Sequence, residues 1–348
     1  MHNKKYYKDK LIDQLSNIDL SKLRKRELNI FNNSKILITG ASGLMGINLL
    51  FFFHKLNHEK KLSIYIDGTY NTSIFDFVKS YFDKNKKINF NKIDLTKKNI
   101  SKNKKYDFIF HFAGYGQPSK FTRNKRATYE LNSNVIGKLQ DNLKINGKLI
   151  YLSTSEIYSG NTKKCNESSN GITGPFHPRS VYIDSKKFGE SFITNIYSNF
   201  LIFRVSLAYG HGVKINDERV LNQVIMRSIF KKEIDIYGGL KQLRSNLFVD
   251  DAIIMIIKSI SKSKNQIFNL NNHKLDYLEK TFNYIAKISK KKLNYHAPKI
   301  SGSPKIIKVS NSKILKLINY KISTTLKVGI IKTRKWYVNL DQYYKSKY

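Results

Sequence analysis

Cysteine, long apolar runs and acidic residues are all scarce in this chain. Cys165 is the only cysteine in 348 residues, so no internal disulfide can form and nothing indicates an oxidising compartment. No apolar run approaches the ~20 residues of a membrane span. The N-terminal segment MHNKKYYKDK is charged where a signal peptide would be apolar. We therefore expect a soluble, cytoplasmic protein that does not enter a membrane.

The shortage of acids leaves a large positive charge. Asp and Glu number 25 against 63 Lys and Arg, which gives a net charge of +38. Such a balance is found in proteins that bind nucleic acid or anionic membranes. Here the lysines are spread along the chain rather than collected in one block, and Lys, Asn, Ile, Tyr and Phe are abundant throughout. This pattern favours a compositional origin, so we expect no nucleic-acid partner, although the charge favours anionic ligands.

A glycine-rich segment, KILITGASGLMG at 35–46, predicts a nucleotide site. An apolar run before the glycines predicts a buried strand, and an apolar segment after them predicts a helix. Strand, glycine turn and helix are typical of a dinucleotide-binding βαβ unit, whose helix N-terminus attracts the pyrophosphate. An ordinary glycine turn in another α/β protein is the alternative. The cofactor-binding residues predicted in this segment are Gly40, Ser42, Gly43, Leu44, Met45 and Gly46.

Later strand ends supply further cofactor candidates. Asp67 follows a strand predicted at 62–66, where a carboxylate binds the ribose hydroxyls and repels a 2′-phosphate, which favours NAD over NADP. A surface turn is equally open for Asp67. Asp94 either contacts the adenine edge or caps a helix. His111, in a strand predicted at 108–114, is interpreted as a packed core histidine. The remaining candidates are Leu95, Phe112, Ala113, Gly114 and Asn134.

A group of catalytic residue types follows the fifth predicted strand, at 148–152. Thr154 and its neighbours stand at the carboxyl end of this strand, where open α/β sheets carry their sites. Tyr182 and Lys186 have i, i+4 spacing and share one face if they are helical. An ammonium group near a phenol lowers the phenol pKa from ~10, which would make Tyr182 usable as a base.

These segments together resemble the extended short-chain dehydrogenases/reductases that act on nucleotide sugars as epimerases, dehydratases and decarboxylases. The matching motifs are ITGASGLMG, FIFHFAG, LSTSEIYSG, HPRSVYIDSK, FRVSLAYG, YGGLKQLRSNLFVDD and a late Trp336-Tyr337 pair. The motifs of UDP-glucuronate decarboxylases are the most similar to two segments of this chain, Thr-Ser-Glu and Pro178-Arg179-Ser180. GDP-mannose 4,6-dehydratases share Thr-Ser-Glu. The dTDP-glucose 4,6-dehydratases usually carry Thr-Asp-Glu, and Ser155 replaces that aspartate, their proton donor for the loss of water.

The resemblance implies bound NAD and transient oxidation of a sugar at C4. Tyr182, tuned by Lys186 and Thr154, would remove the 4′-hydroxyl proton, and a hexuronic acid oxidised in this way loses carbon dioxide. Glu156 resembles the family's acid/base carboxylate. The implied catalytic residues are Thr154, Ser155, Glu156, Tyr182, Lys186 and Arg244, and the implied substrate-binding residues are Arg179, Asn222 and Arg244.

Several alternatives stay open. Arg244 either approaches substrate or pairs with Asp250 or Asp251. Arg179 is open between phosphate contact, carboxylate contact and loop structure. Decarboxylation of UDP-glucuronate to a UDP-pentose is the leading function, and a 4,6-dehydratase, a C4-epimerase and a non-catalytic nucleotide-binding scaffold or sensor are the alternatives.

Two positions depart from the family pattern. Leu207 stands where relatives carry an asparagine whose amide can bind substrate, and His211 replaces a proline. No metal site is predicted, because His54 and His58 have i, i+4 spacing but no acid or cysteine joins them.

The expected architecture is a doubly wound parallel sheet, of Rossmann type, with a smaller α/β C-terminal substrate lobe. We expect a helical extension at 1–34, the NAD-binding domain at 35–205 and the substrate lobe at 206–348, with 247–260 returning to the first domain. Family members commonly pair as homodimers, and the same is expected here by resemblance.

Overall fold

The computed structural model describes residues 2–238, 242–297, 302, 304 and 306–346. The strands are β1 (Lys35–Thr39), β2 (Tyr65–Tyr70), β3 (Ile88–Lys92), β4 (Tyr106–His111), β5 (Leu143–Thr154), β6 (Phe200–Val205), β7 (Leu207–Tyr209), β8 (Ile234–Tyr237), β9 (Leu243–Arg244), β10 (Asn246–Phe248), β11 (Gln266–Leu270), β12 (Asp276–Tyr277) and β13 (Leu293–His296). The helices are α1 (His2–Ser16), α2 (Lys25–Asn29), α3 (Leu44–Glu59), α4 (Asp76–Phe82), α5 (Pro118–Arg123), α6 (Lys125–Asn132), α7 (Asn134–Gln140), α8 (Ser180–Ile196), α9 (Val220–Phe230), α10 (Val249–Ile260), α11 (Leu278–Ser289), α12 (Ser312–Ile318) and α13 (Leu326–Lys345).

Seven of these strands form one sheet in the order β11-β6-β5-β4-β1-β2-β3, with every neighbouring pair parallel. The chain proceeds outward from β1 to β3 and then crosses back to β4 on the other side of β1. This reversal is the topological switch point at which ligands bind in open α/β sheets. The predicted doubly wound parallel sheet is confirmed.

Side chains that alternate along the strands pack on both faces of the sheet. In β1, Leu37 belongs to one buried cluster, whereas Ile36 and Ile38 belong to the other. Helices α3 and α10 pack together on the second face, and the described residues of α10 are buried along its whole length. Burial on both faces explains why the strands are continuous apolar runs rather than alternating ones.

The second strand is displaced from its predicted position. The side chain of Asn57 on α3 bonds the backbone of Ile64 in both directions, at 2.8 Å each. These bonds occupy the backbone of Ile64 before the strand begins, so β2 starts at Tyr65 and runs on to Tyr70. Asp67 consequently lies inside the strand, opposite Leu37, rather than at its end.

The described part of the predicted substrate lobe contains short strand pairs, β7 with β10, β8 with β13 and β9 with β12, together with α9 and α11. After α10 the chain adds β11 to the edge of the main sheet beside β6, a strand beyond the 247–260 return that the sequence predicts. Within 1–34 the structure has α1 and α2, and α1 packs against α3 and α13.

Candidate active site

The glycine segment forms a close turn between β1 and α3. Gly40 has φ +69°, and a Cβ atom there would lie 2.7 Å from the backbone nitrogen of Ala113. A Cβ on Gly46 would lie 2.3 Å from the carbonyl oxygen of Gly40. Only glycine permits these contacts. Gly43 is exposed and caps α3, with Ser42 and Leu44 half-buried beside it and Met45 buried. The helix N-terminus therefore has an open approach that fits a pyrophosphate.

The end of β4 lies directly beside this turn. The Thr39 hydroxyl accepts from the Ala113 backbone N–H at 3.2 Å and bonds His111 Nδ1 at 2.8 Å. His111 is buried, and burial lowers its pKa to about 4, which keeps the imidazole neutral. It is the packed core histidine that the sequence predicts. Phe112 and Gly114 follow β4 directly on either side of Ala113. Leu95 is buried in the core cluster against which Ala113 packs.

Three predicted cofactor residues are engaged elsewhere. The Asp67 carboxylate accepts from the Tyr106 hydroxyl at 2.6 Å and pairs with Lys104 at 3.0 Å, so it does not sit at the strand end where a ribose would lie. Asp94 accepts from the backbone N–H and hydroxyl of Thr96 in a turn after β3, where the described chain forms no helix, so the predicted helix cap is not found. Asn134 is exposed and donates to Glu130 at 2.8 Å.

Asn132, and not the predicted cofactor residue Asn134, is the asparagine that points into the protein here. The helix breaks at Ser133 (φ −129°, ψ −82°) between α6 and α7, and this break turns Asn134 outward. Asn132 is buried and donates to the Ser185 hydroxyl at 3.1 Å, while its Oδ1 has no hydrogen-bond partner among the described residues. Thr128, four residues before Asn132, is also buried, and this i, i+4 spacing was the sequence signal that could have placed Asn132 on the buried face of the helix.

Thr154, Tyr182 and Lys186 come together at the carboxyl end of β5, as predicted. The Thr154 hydroxyl lies near enough to the Tyr182 phenol to lower the phenol pKa. Tyr182 and Lys186 follow one another along the buried face of α8, and Lys186 Nζ donates to the Leu152 carbonyl at 2.6 Å. Both Lys186 Nζ and Asn132 Oδ1 face Gly114, because a Cβ on that glycine would lie 3.8 and 3.4 Å from them.

The electrostatics of the tyrosine differ from the expectation. Burial and the Glu156 carboxylate raise the pKa of Tyr182 to about 12, although Thr154 and the charge of Arg179 lower it. Burial also lowers the pKa of Lys186 to about 7. The lysine thus loses much of the positive charge that was expected to lower the phenol pKa, because the same burial acts on both groups.

Phe121 is a site residue that the sequence reasoning missed. Its ring stacks on the Tyr182 ring with centroids 4.3 Å apart and planes 3° from parallel. The guanidinium of Arg179 lies over the same Phe121 ring, 5.1 Å from its centroid. This stack holds the tyrosine ring in one orientation, and no local spacing in the sequence connects residue 121 with 182.

Glu156 and Arg179 form a largely buried ion pair. Ser155 and Glu156 lie in a short 3-10 turn, Ser155–Tyr158, that follows β5, and Arg179 caps α8. Arg179 Nη2 and Glu156 Oε1 are 2.5 Å apart. The contact with a carboxylate is one of the alternatives left open for Arg179. The pair fixes both side chains beside Tyr182.

Arg244 lies at the cavity rather than in the predicted structural pair. Its guanidinium donates to Gln242 at 2.5 Å and to the Pro304 carbonyl at 2.6 Å. Asp251 instead accepts from Tyr320 at 2.5 Å, and Asp250 lies 2.9 Å from His211. Burial lowers the pKa of Arg244 to about 10, with Glu156 opposing and Arg179 reinforcing that shift. This arginine therefore lies in a cluster of cations around one carboxylate.

A cavity of about 560 Å³ is lined in part by Glu156, Arg179 and Arg244, whereas Thr154, Tyr182 and Lys186 are not in its lining. Leu207 lines it, so the departure from the family asparagine falls at the cavity wall. Asn222 is buried and donates to Asp217 at 3.0 Å, and it does not line this cavity. Asp217 in turn pairs with Arg219 at 2.7 Å. Among the described residues the cavity wall carries five arginines and three acids: Arg123, Arg179, Arg219, Arg227, Arg244, Glu156, Glu218 and Asp235.

The described residues contain no group of three or more His, Cys, Asp and Glu side chains placed to hold a metal ion. Within the same residues, no helix has the length and apolar character needed to cross a membrane.

Comparison with known proteins identifies the class. The profile of the NAD dependent epimerase/dehydratase family matches residues 36–270, and the chain belongs to this family. NAD is its cofactor, and the close turn at Gly40 and Gly46 fits the dinucleotide, since a Cβ at either position would fill the cradle.

Individual relatives are distant. The chain is 28% identical over 267 residues to a dTDP-D-glucose 4,6-dehydratase of Dictyostelium discoideum, which covers 70% of this chain and 58% of that protein. It is 24% identical over 253 residues to UDP-glucuronic acid decarboxylase 6 of Arabidopsis thaliana, covering 69% and 70%. The chain thus spans little more than half the length of the first of these. A UDP-glucuronic acid 4-epimerase of Bacillus cereus, solved with UDP-glucuronic acid and NAD, shares the fold with a TM-score of 0.73 at 21% identity, covering 88% and 99%.

Proposed function

We propose that this chain oxidises a nucleotide sugar transiently at C4, with Tyr182 as the base. The arrangement of Tyr182, Thr154 and Lys186 between the glycine turn and the cavity supports this assignment. NAD, when bound, supplies the hydride acceptor and, in its oxidised form, a positively charged ring. Because burial raises the pKa of Tyr182 to about 12, added positive charge nearby favours the phenolate. Thr154 and Lys186 hold the phenol and carry the proton onward.

We further propose that the substrate is UDP-glucuronate and the product a UDP-pentose. The observation that carries this proposal is the pair Arg179 and Arg244 around Glu156 at the cavity, beside Tyr182. A guanidinium group binds a carboxylate through two parallel hydrogen bonds, so arginines at this wall suit a substrate that carries a carboxylate. An Arabidopsis relative is named a UDP-glucuronic acid decarboxylase, and the Bacillus cereus epimerase was solved with UDP-glucuronic acid.

The chemistry follows from the position of the substrate carboxylate. Oxidation at C4 makes the hexuronate a β-keto acid. The C5–C6 bond then breaks, carbon dioxide leaves, and the electron pair of that bond passes to the C4 carbonyl oxygen as an enolate. Protonation at C5, for which we assign Glu156 because its charge acts on the Tyr182 phenol from the cavity wall, and return of the hydride to C4 complete the pentose. Arg244 stabilises the enolate oxygen by its charge.

The alternatives are a 4,6-dehydratase and a C4-epimerase. The Dictyostelium relative is named a dehydratase, but Ser155 has no carboxyl group with which to protonate a leaving hydroxyl. An epimerase would use the same oxidation and return the hydride to the opposite face of the sugar.

Mass spectrometry of UDP-glucuronate incubated with the protein and NAD tests the proposal. We expect loss of carbon dioxide to a UDP-pentose or its 4-keto form. Loss of water from dTDP-glucose or GDP-mannose would show a dehydratase, and a same-mass isomer would show an epimerase. Tyr182→Phe should bind NAD nearly as the parent does and lose turnover by about 10²–10⁴-fold. A variant that keeps near-parental turnover would contradict the role of Tyr182.

We also propose that two copies pair through α6 and α8. Val181, Phe188 and Ile196 are exposed on α8, and Tyr129 is exposed on α6, which packs against it. An exposed apolar face of this kind is typical of an interface. Light scattering should give a dimer for the parent and a monomer for Phe188→Asp. The matched control Ile145→Asp, at an isolated exposed position, should remain a dimer, and a monomeric parent would refute the proposal.

A further inference from the structure

The end of β2 lies against the glycine turn without a charged side chain of its own. Thr69 pairs with Thr39, and the Thr69 carbonyl accepts from the Ala41 backbone N–H at 2.8 Å. The residues that continue from there, Tyr70, Asn71, Thr72 and Ser73, are all uncharged. An acid in this place is what binds the adenosine ribose hydroxyls of NAD and repels a 2′-phosphate.

The neighbouring acids are occupied. Asp67, three residues before the strand end, is bonded by Tyr106 and Lys104. Asp76, on α4, accepts from the Tyr343 hydroxyl at 3.1 Å. Asp94, after β3, accepts from Thr96. The electrostatic discrimination against a 2′-phosphate is therefore weakened at this end of the cofactor site.

A lysine from the loop between β7 and α9 bonds the segment that follows β2. This loop packs on the N-terminal part of α3, where the Asn48 side chain donates to the His211 carbonyl at 3.0 Å. Lys214, in the same loop, donates through Nζ to the carbonyl and hydroxyl oxygens of Ser73 at 2.8 and 3.2 Å. The loop therefore contacts α3 through His211 and the segment that follows β2 through Lys214.

The surroundings of Lys214 favour an anion. Burial and the positive charge of Lys120 both lower the pKa of Lys214. An anionic group placed between the two ammonium groups would relieve their repulsion and replace the neutral Ser73 acceptors with a stronger, charged one.

We propose that the adenosine end of the cofactor site admits a 2′-phosphate, with Lys214 as its ligand, so that the chain binds NADP(H) as well as NAD(H). This inference rests on family membership for the place of the dinucleotide and does not depend on which sugar is the substrate. The proposal reverses the preference for NAD over NADP that was predicted from Asp67.

Calorimetric titration of the full chain at 0.15 M salt with 2′,5′-ADP and with 5′-AMP, which differ only by the 2′-phosphate, tests the proposal without turnover. We expect 2′,5′-ADP to bind at most threefold more weakly than 5′-AMP. Lys214→Ala should weaken 2′,5′-ADP about tenfold and change 5′-AMP less than twofold, which also shows that the variant is folded. Lys214→Arg should restore the affinity for 2′,5′-ADP. Asn71→Asp should weaken 2′,5′-ADP by tenfold or more.

Asp67→Asn is the matched control. Its carboxylate is bonded away from the strand end, so this variant should leave the ratio of the two affinities unchanged. The proposal is overturned if 2′,5′-ADP binds more than threefold more weakly than 5′-AMP, if Lys214→Ala weakens both ligands equally, or if Asp67→Asn selectively strengthens 2′,5′-ADP.

Discussion

Glu190 connects α8 and β5, which carry Tyr182, Lys186 and Thr154, to the neighbouring strand β6, and its removal gives a sharp test of the site's construction. It lies on α8 one turn beyond Lys186. Arg204 on β6 donates to both of its carboxylate oxygens, through Nε at 3.0 Å to each and through Nη2 at 2.6 Å to one. The hydroxyl of Ser153, the residue before Thr154, also donates to it. The two charged side chains are 7% and 8% exposed.

We expect Glu190→Gln to lower the free energy of unfolding by about 3–5 kcal/mol, the usual cost of removing one partner from a buried ion pair. Burial lowers the pKa of Arg204, and the bonds to Glu190 raise it above its ordinary value. A guanidinium keeps its proton in proteins, so Glu190→Gln leaves a buried positive charge without its counter-charge. Glutamine keeps one acceptor oxygen but no charge. Urea unfolding followed by circular dichroism at pH 7 measures the change.

The control is the exposed ion pair of Lys345 and Asp341 on α13, with Lys345 66% exposed. Asp341→Asn makes the same chemical change and should cost no more than about 0.5 kcal/mol. Adding Arg204→Met to Glu190→Gln removes the unpaired charge and should recover part of the loss. A cost below about 1 kcal/mol for Glu190→Gln, or strictly additive costs in the double variant, would refute the reasoning.

Two further changes test the cofactor turn and the lysine. Gly46→Ala should abolish NAD binding measured by calorimetry, because its methyl group would lie 2.3 Å from the Gly40 carbonyl oxygen, whereas Gly174→Ala, which has no atom within 4 Å of the added carbon, should bind normally. Burial lowers the pKa of Lys186 from 10.5 to about 7, so between these values the folded protein binds fewer protons than the unfolded chain and its stability rises with pH. The stability difference between the parent and Lys186→Met should therefore shift in favour of the parent by up to about 1.4 kcal/mol per pH unit from pH 7 to 9 in urea titrations, and a constant difference would contradict the burial of this lysine.

The parts of the site that depend on short spacings were predictable from the sequence. Gly40 and Gly46 lie within seven residues of each other, and the geometry of a strand–turn–helix unit fixes what they do. Tyr182 and Lys186 are four residues apart on one helix, so their alignment follows from helical geometry. The doubly wound type of the sheet followed from the glycine segment and the family resemblance, and its parallel strands from their continuous apolar character.

Other parts depend on contacts that no local pattern specifies. Asp67 was misplaced because the side chain of Asn57 holds Ile64 outside the strand. Asn134 was predicted as a cofactor residue but faces outward, because the helix breaks at Ser133, where no proline or glycine marks the break in the sequence. The position of Phe121 against Tyr182 joins residues 61 apart in the chain, a separation that only the folded sheet brings together.

The strand β11 has a consequence for how such an enzyme can change over time. It closes the sheet beside β6 only after the chain has passed through most of the substrate lobe and returned. A single crossover between two genes, placed after β6, would exchange the intervening residues only together with β11, so the incoming β11 would have to pair with the β6 of the other parent. Replacement of the loops and short strands between β6 and β11 leaves this pairing unchanged.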